Sequence, residues 1–302
     1  MAQLIKLKDY ISRYEWNMYR YPSQFLRMKQ ENWRKLYALW DQPAESRVNE
    51  QSTDQDISPF SKWKALLKRN PVESEIQEQS LPSSETELKH YFLDKLFPIQ
   101  LKWASSTVTD VSFMQSDYNE DKLLKYFLHR FPDTYFVMYY PILTVQKASV
   151  DGEIILISPV GIEIIYVLEA DSQAIIHFTN DRTWHIQANQ QQESILSPLL
   201  ALKRTAHIIK SILLKEEIDF PVRKVVLSRT NFINVKTEPY NVQLVDKKYY
   251  SQWFSKKRHF VSPLKNRQLK AANALLKYCQ TTSVKRPEWE DDSSIFTMDE
   301  RR

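Results

Sequence analysis

The sequence predicts an α/β chain: a mixed β-sheet flanked by helices, preceded by an N-terminal helical extension. Three observations carry this. Helical and strand periodicities alternate along residues 88–280, as they do where strands and helices build one layered domain. A run of strand-like segments lies between two helical ones, and a further strand follows the second helix. The chain has only 2 glycines in 302 residues, and Gly152 and Gly161 bracket one apolar run. An average chain carries about 7% glycine. Glycine serves where φ is positive or where another backbone comes close, so the pair marks a tight hairpin.

Taken in order, residues 3–41 read as two helical segments broken at Pro22, with Ser23 as an N-cap. In the second, Trp33, Leu36, Tyr37 and Trp40 follow i, i+3, i+4, i+7 and form one apolar stripe. Residues 1–42 carry 8 Lys/Arg against 4 Asp/Glu, which suits an amphipathic hairpin packed on the main domain, or a basic element for a protein partner or a membrane surface. Residues 43–87 read as a flexible linker, poor in large apolar residues, with a short helix near 60–69 where Phe60, Trp63, Leu66 and Leu67 share a face. The domain spans 88–280. It opens with a helix over 87–103, interrupted near Pro98, and a second over 119–131, where Leu123, Leu124, Phe127, Leu128 and Phe131 fall at helical spacing. A strand over 135–145 follows. A hairpin then pairs 153–157 with 162–169 across Ser158-Pro159-Val160-Gly161. Short strands over 174–178 and 183–186 come next, and a helix over 197–214 with Pro198 in its first turn. A buried-type strand over 223–228, a strand at 243–245, a short helix over 249–254 and a last helix over 264–278 complete the domain. The polar residues 281–302 read as a disordered tail.

Composition excludes several chemistries. The single cysteine, Cys279, cannot form an internal disulfide, and the first residues lack the continuous apolar stretch of a secretory leader, so a cytoplasmic location is expected. No run of about 18 apolar residues occurs, so no membrane span is expected. Two glycines cannot build a glycine-rich phosphate loop. The six histidines make no spaced pair with cysteine, so no structural zinc is expected. The net charge of +5 is compatible with an anionic partner without requiring one.

One stretch concentrates charge. Residues 246–270 contain Lys247, Lys248, Lys256, Lys257, Arg258, Lys265, Arg267 and Lys270 against one acid, Asp246, with Tyr249, Tyr250, Trp253, Phe254 and Phe260 interleaved. Cations neutralise phosphates and aromatic faces stack bases, so Lys247, Lys248, Trp253, Lys256, Lys257 and Arg258 are the candidate DNA- or RNA-binding residues. The same pattern also suits a solvated basic face over an aromatic core.

The stretch Glu153-Ile154-Ile155-Leu156-Ile157-Ser158-Pro159-Val160-Gly161-Ile162-Glu163 resembles the nuclease-related domain family, NERD, whose core is restriction-endonuclease-like. The resemblance covers roughly residues 119–230 and implies a Mg²⁺ site of carboxylates with a nearby lysine, the metal neutralising charge on a scissile phosphate. Carried over, the family's helix glutamate falls on Glu120 and its strand acid on Glu153. Its Glu-x-Lys pair falls on Tyr166 and Leu168, and its helix glutamine on Ala201, so these groups are replaced. Glu169 is the remaining acid that a β-bulge could re-aim. Glu163 and Glu169 share one face of that strand, opposite to Tyr166 and Leu168. The resulting expectation is a degenerate, non-catalytic member that binds nucleic acid or a protein partner and holds no cofactor. The alternatives are a Mg²⁺-dependent nuclease built on Glu120, Glu153 and Glu169, and an adaptor using its N-terminal aromatic helices.

Overall fold

The structure, a computed structural model, describes residues 1–41, 82–146, 148–188, 191–235 and 237–286. The short helix expected near 60–69, most of the 43–87 linker and residues 287–302 lie outside the described residues. The chain divides into two compact units, Ser23–Leu96 and the remainder, Met1–Pro22 with Phe97–Arg302.

The chain opens with strand β1 (Gln3–Leu7), the short helix α1 (Arg13–Trp16) and helix α2 (Tyr21–Asp41). Helix α3 (Glu85–Trp103) follows, then β2 (Asp110–Val111), a 3₁₀ turn (Ser116–Asn119) and α4 (Lys122–Arg130). Next come β3 (Phe136–Tyr139), β4 (Ile142–Val145), β5 (Ala148–Asp151), β6 (Ile154–Ser158), β7 (Gly161–Val167), β8 (Ile175–Phe178), β9 (Thr183–Ala188) and β10 (Gln191–Leu196). Helix α5 (Pro198–Lys215), β11 (Val222–Leu227), β12 (Phe232–Asn234), β13 (Gln243–Val245), α6 (Lys247–Arg258), α7 (Asn266–Lys277) and β14 (Val284–Lys285) complete the order.

The principal sheet is mixed and six-stranded, in the order β1-β3-β6-β7-β11-β13. Strands β3, β6 and β7 form an antiparallel meander, and β11 returns parallel to β7 after helix α5. Its interior is a continuous aliphatic layer in which Ile154, Ile155, Ile157, Ile162, Ile164, Ile165, Val225 and Val226 are fully buried. A second sheet, β10-β9-β8-β12, has Trp184 and Ile176 fully buried on its inner side.

Residues 3–7 are the main departure from expectation. The sequence pattern places them in a helical extension with a surface for a protein partner. They form β1, parallel to β3, with all five residues buried. Leu4, Ile5 and Leu7 fit a helical stripe as well as a buried strand, and only pairing with β3 separates the two. The free edge of β1 is closed by Gln100, whose Oε1 accepts from Leu4 N at 2.7 Å while its Nε2 donates to Ala2 O at 2.8 Å. Lys6 is fully buried, and its ammonium donates to Tyr10 O, Glu15 Oε1 and Thr281 Oγ1. Pro22 sits in the first turn of α2, where its missing N–H costs nothing. Within the Ser23–Leu96 unit the aromatic stripe is used: Trp33 meets Tyr37 and Phe92 at ring distances of 5.8 and 5.2 Å.

The expected helix break at Pro98 does not occur; α3 runs through it. The single strand expected over 135–145 divides into β3 and β4 because Tyr140, ahead of Pro141, adopts a φ of 45°. Strands β5 and β10 were not anticipated; their polar sequences carry no clear alternation. At the start of the tail, β14 pairs with β2. Neither glycine has positive φ; close approach explains both. A Cβ on Gly152 would lie 2.9 Å from Pro141 O, and one on Gly161 3.0 Å from Pro221 O.

Candidate functional site

The parallel pairing of β7 and β11 sets Arg223 opposite Glu163, and alternation places both on the same sheet face as Ile165 and Val225. Helix α6 begins at Asp246, which caps it by accepting from Lys248 N and Tyr249 N. Tyr249, Trp253, Lys256 and Lys257 then recur at i, i+4, i+7, i+8 and share one helix face. Together these elements enclose a pocket of about 590 Å³, lined by Glu163, Arg223, Tyr249, Trp253, Lys256 and Lys257. Tyr135 and Phe260 add two more aromatic rings, and Ser158, Val160 and Gly161 of the β6–β7 turn complete the lining on that side of the sheet. The volume falls in the range of small-ligand clefts, about 300–1,000 Å³.

Charge in this pocket is organised by one pair. Lys257 Nζ donates to Glu163 Oε1 at 2.5 Å, and the two side chains keep 14% and 11% exposure. The ammonium also lies 4.9 Å from the centre of the Trp253 ring. Glu163 Oε2 and Trp253 Nε1 are buried with no hydrogen-bond partner among the described residues. A buried acceptor and a buried donor without partners each cost free energy. Burial, followed by the negative charge of Glu163, pushes the Tyr135 hydroxyl up to about 12. Arg223 and Lys256 are exposed, so the rim is cationic and the floor holds the acid.

The candidate residues of α6 therefore divide. Lys256, Lys257 and Trp253 meet at the pocket. Lys247 lies 5.7 Å from the Phe232 ring, Lys248 lies 5.3 Å from the Tyr249 ring, and Arg258 is an exposed residue at the helix end. The sequence offers Trp253 as a stacking platform; at 5% exposure it is a core residue with the Lys257 ammonium over its ring. Lys257 is engaged by Glu163 and is not a free phosphate contact.

The two carboxylates carried over from the resemblance, Glu120 and Glu153, and the displaced Glu169 have separate surroundings. Glu120 is exposed and 3.4 Å from Lys125 Nζ; the neighbouring Asp121 caps α4 and accepts from the Tyr139 hydroxyl at 2.8 Å. Glu153 is half-buried. Burial raises its carboxyl above the ordinary range, Arg204 opposes this, and Asp151 adds to it. Glu169 is held by Arg229 through three hydrogen bonds, two from the guanidinium at 2.5 and 2.7 Å and one from the backbone N–H at 3.1 Å. Burial disfavours its ionisation, but the hydrogen bonds and charge of Arg229 prevail and hold it below the ordinary range. Among the described residues no three His, Cys, Asp or Glu side chains are grouped as a metal would require. Cys279 is a structural thiol that donates to Leu275 O at 3.4 Å and is pushed up to about 12 by burial. No helix among the described residues is long and apolar enough to cross a membrane.

Sequence reasoning missed Arg223 and Tyr135, and used Glu163 only to mark a strand face. The available signal was a carboxylate inside the run Ile162-Glu163-Ile164-Ile165: a charge in a buried strand needs a partner, and the basic helix supplies it.

The class defined by these features is an α/β unit with a cationic, aromatic-walled cleft. No family model matches the chain, and no solved structure matches it. It is 36% identical over 114 residues to a protein of Geobacillus stearothermophilus described as an RNA 2',3'-cyclic phosphodiesterase. The matched region takes in 33% of this chain and 36% of that protein, so the chain spans about a third of the length of the curated relative. This likeness to a protein named as a catalyst overturns the expectation of a non-catalytic chain that only binds.

Proposed function

We propose that the chain hydrolyses a phosphodiester in RNA, with the cleft between β7, β11, β13 and α6 as its substrate site. One observation carries the reading: Glu163 and Lys257 are paired in the wall of a nucleotide-sized pocket whose rim carries Arg223 and Lys256. The likeness to the Geobacillus protein supports the substrate class.

The residues suit the chemistry of a cyclic phosphate. Arg223 and Lys256 neutralise the non-bridging phosphate oxygens, and Tyr249 or Phe260 supports the base. Water attacks phosphorus, and Glu163 accepts its proton. One ring P–O bond breaks as the new P–O bond forms, and Lys257 delivers a proton to the departing ribose oxygen. The product is a phosphomonoester beside a free hydroxyl. The core is proposed to be of the nuclease-related kind; the support is the order α4, β3, β6, β7, α5, β11, with the β4–β5 hairpin inserted.

The test is hydrolysis of 2',3'-cyclic AMP and of an oligoribonucleotide ending in a cyclic phosphate, followed by chromatography of the phosphomonoester. Glu163→Gln should lower kcat about 10²-fold or more. Arg223→Ala should act mainly on KM. Turnover unchanged in Glu163→Gln, or no turnover by the folded wild-type chain, overturns the proposal.

A further inference from the structure

The second sheet carries a pair of histidines that the cleft does not use. Strands β8 and β9 run antiparallel with His177 directly opposite His185. Side chains so placed emerge on the same face with Cβ atoms about 4.5–5.5 Å apart. On one side of the pair is Asn234 of β12, in register with His177; on the other is Ser194 of β10, in register with His185. The inner face of the sheet holds Ile176 and Trp184, both fully buried, so the histidine row lies on the outer face. Both rings are partly exposed.

One nitrogen of each ring is already engaged. His177 Nε2 lies 3.0 Å from Gln187 Oε1, and His185 Nδ1 lies 3.0 Å from Ser194 Oγ. A carbonyl oxygen only accepts, so His177 Nε2 carries the hydrogen and Nδ1 keeps its lone pair. The Ser194 hydroxyl can donate to His185 Nδ1 or accept from it; in the tautomer in which it accepts, the lone pair is left on Nε2. Metal-ligating histidines are oriented in this manner: the outer nitrogen donates to a fixed acceptor and the inner one faces the ion.

We propose that His177 and His185 form a cross-strand binding site for a borderline divalent cation of the Zn²⁺ and Ni²⁺ class, with Gln187 and Ser194 as its orienting partners. Imidazole nitrogen suits these ions. Two protein ligands leave the remaining coordination positions to water. The site is on a different sheet from the Glu163–Lys257 cleft and stands or falls independently of it.

The test is calorimetric titration of the full chain with NiCl₂ and with ZnCl₂, with circular dichroism of each variant to establish folding. Wild type should bind one equivalent. His177→Gln and His185→Gln should each weaken binding about tenfold or more, and Gln187→Ala about tenfold. His207→Gln should leave affinity unchanged. Saturating Cu²⁺ should broaden the His177 and His185 ring signals in NMR spectra before those of other histidines. No saturable uptake of either ion by wild type, or equal affinity in the folded His177→Gln/His185→Gln double variant, overturns the proposal.

Discussion

Replacing Lys257 with methionine tests the central physical claim about the cleft. Lys257 supplies the only partner found for the Glu163 carboxylate: Oε1 accepts from it at 2.5 Å, and Oε2 has none among the described residues. Glu163 is 8% exposed, so the variant leaves a carboxylate with little access to water and no counter-charge beside it. Breaking a buried pair from one side costs about 3–5 kcal/mol. The side chains retain 14% and 11% exposure, which places the expectation at the low end, about 3 kcal/mol. At about 2–4 °C per kcal/mol for a unit of this size, Tm should fall by roughly 6–12 °C. Urea unfolding at pH 7, followed by tryptophan fluorescence, reads the same quantity as a lower midpoint at unchanged slope. Adding Glu163→Gln removes the stranded charge, so the double variant should recover about 1–2 kcal/mol relative to Lys257→Met alone. If Lys257→Met lies within about 0.5 kcal/mol of wild type, as an ordinary surface substitution does, the pair is screened by solvent and the reasoning fails.

Gly152→Ala should destabilise by about 1–3 kcal/mol, because the new Cβ would meet a backbone oxygen, Pro141 O, at 2.9 Å; an unchanged Tm would show that the β4–β5 hairpin yields freely. Trp253→Ala should cost about 3–5 kcal/mol of stability, since the ring is core; a loss of RNA affinity with unaltered urea midpoint would contradict its burial. The Glu169–Arg229 pair makes stability depend on acid. The folded carboxyl is held below its unfolded value, so its contribution is complete above about pH 5 and is lost as pH falls through the folded value. Glu169→Gln should therefore flatten the acid limb of a Tm-against-pH profile between about pH 5 and pH 3, and an unaltered limb would refute the coupling.

Much of the fold was legible because local signals agreed with tertiary ones. Helix α5 begins where Ser197-Pro198 places a cap and a first-turn proline, and the Ser197 hydroxyl accepts from Leu199 N. The β6–β7 hairpin falls across the Ser158–Gly161 turn as its apolar flanks require. The cleft was legible only in part. Basic and aromatic residues of α6 were visible as a composition, but their division into a buried Trp253, a paired Lys257 and an exposed Lys256 depends on which side of the helix meets the sheet.

By itself the sequence determined the mixed α/β class, the order of the central elements and the basic character of residues 246–270. These follow from short-range rules: periodicity, capping, turn geometry and charge. Tertiary structure alone decided that residues 3–7 are a strand, because a five-residue apolar segment becomes a strand only by pairing, here with β3. It also decided that Glu163 faces Lys257 across 94 positions of sequence, and that Glu120, Glu153 and Glu169 have separate partners. A carboxylate's role depends on the charges and solvent that the fold brings to it, and these are long-range quantities that no local pattern encodes.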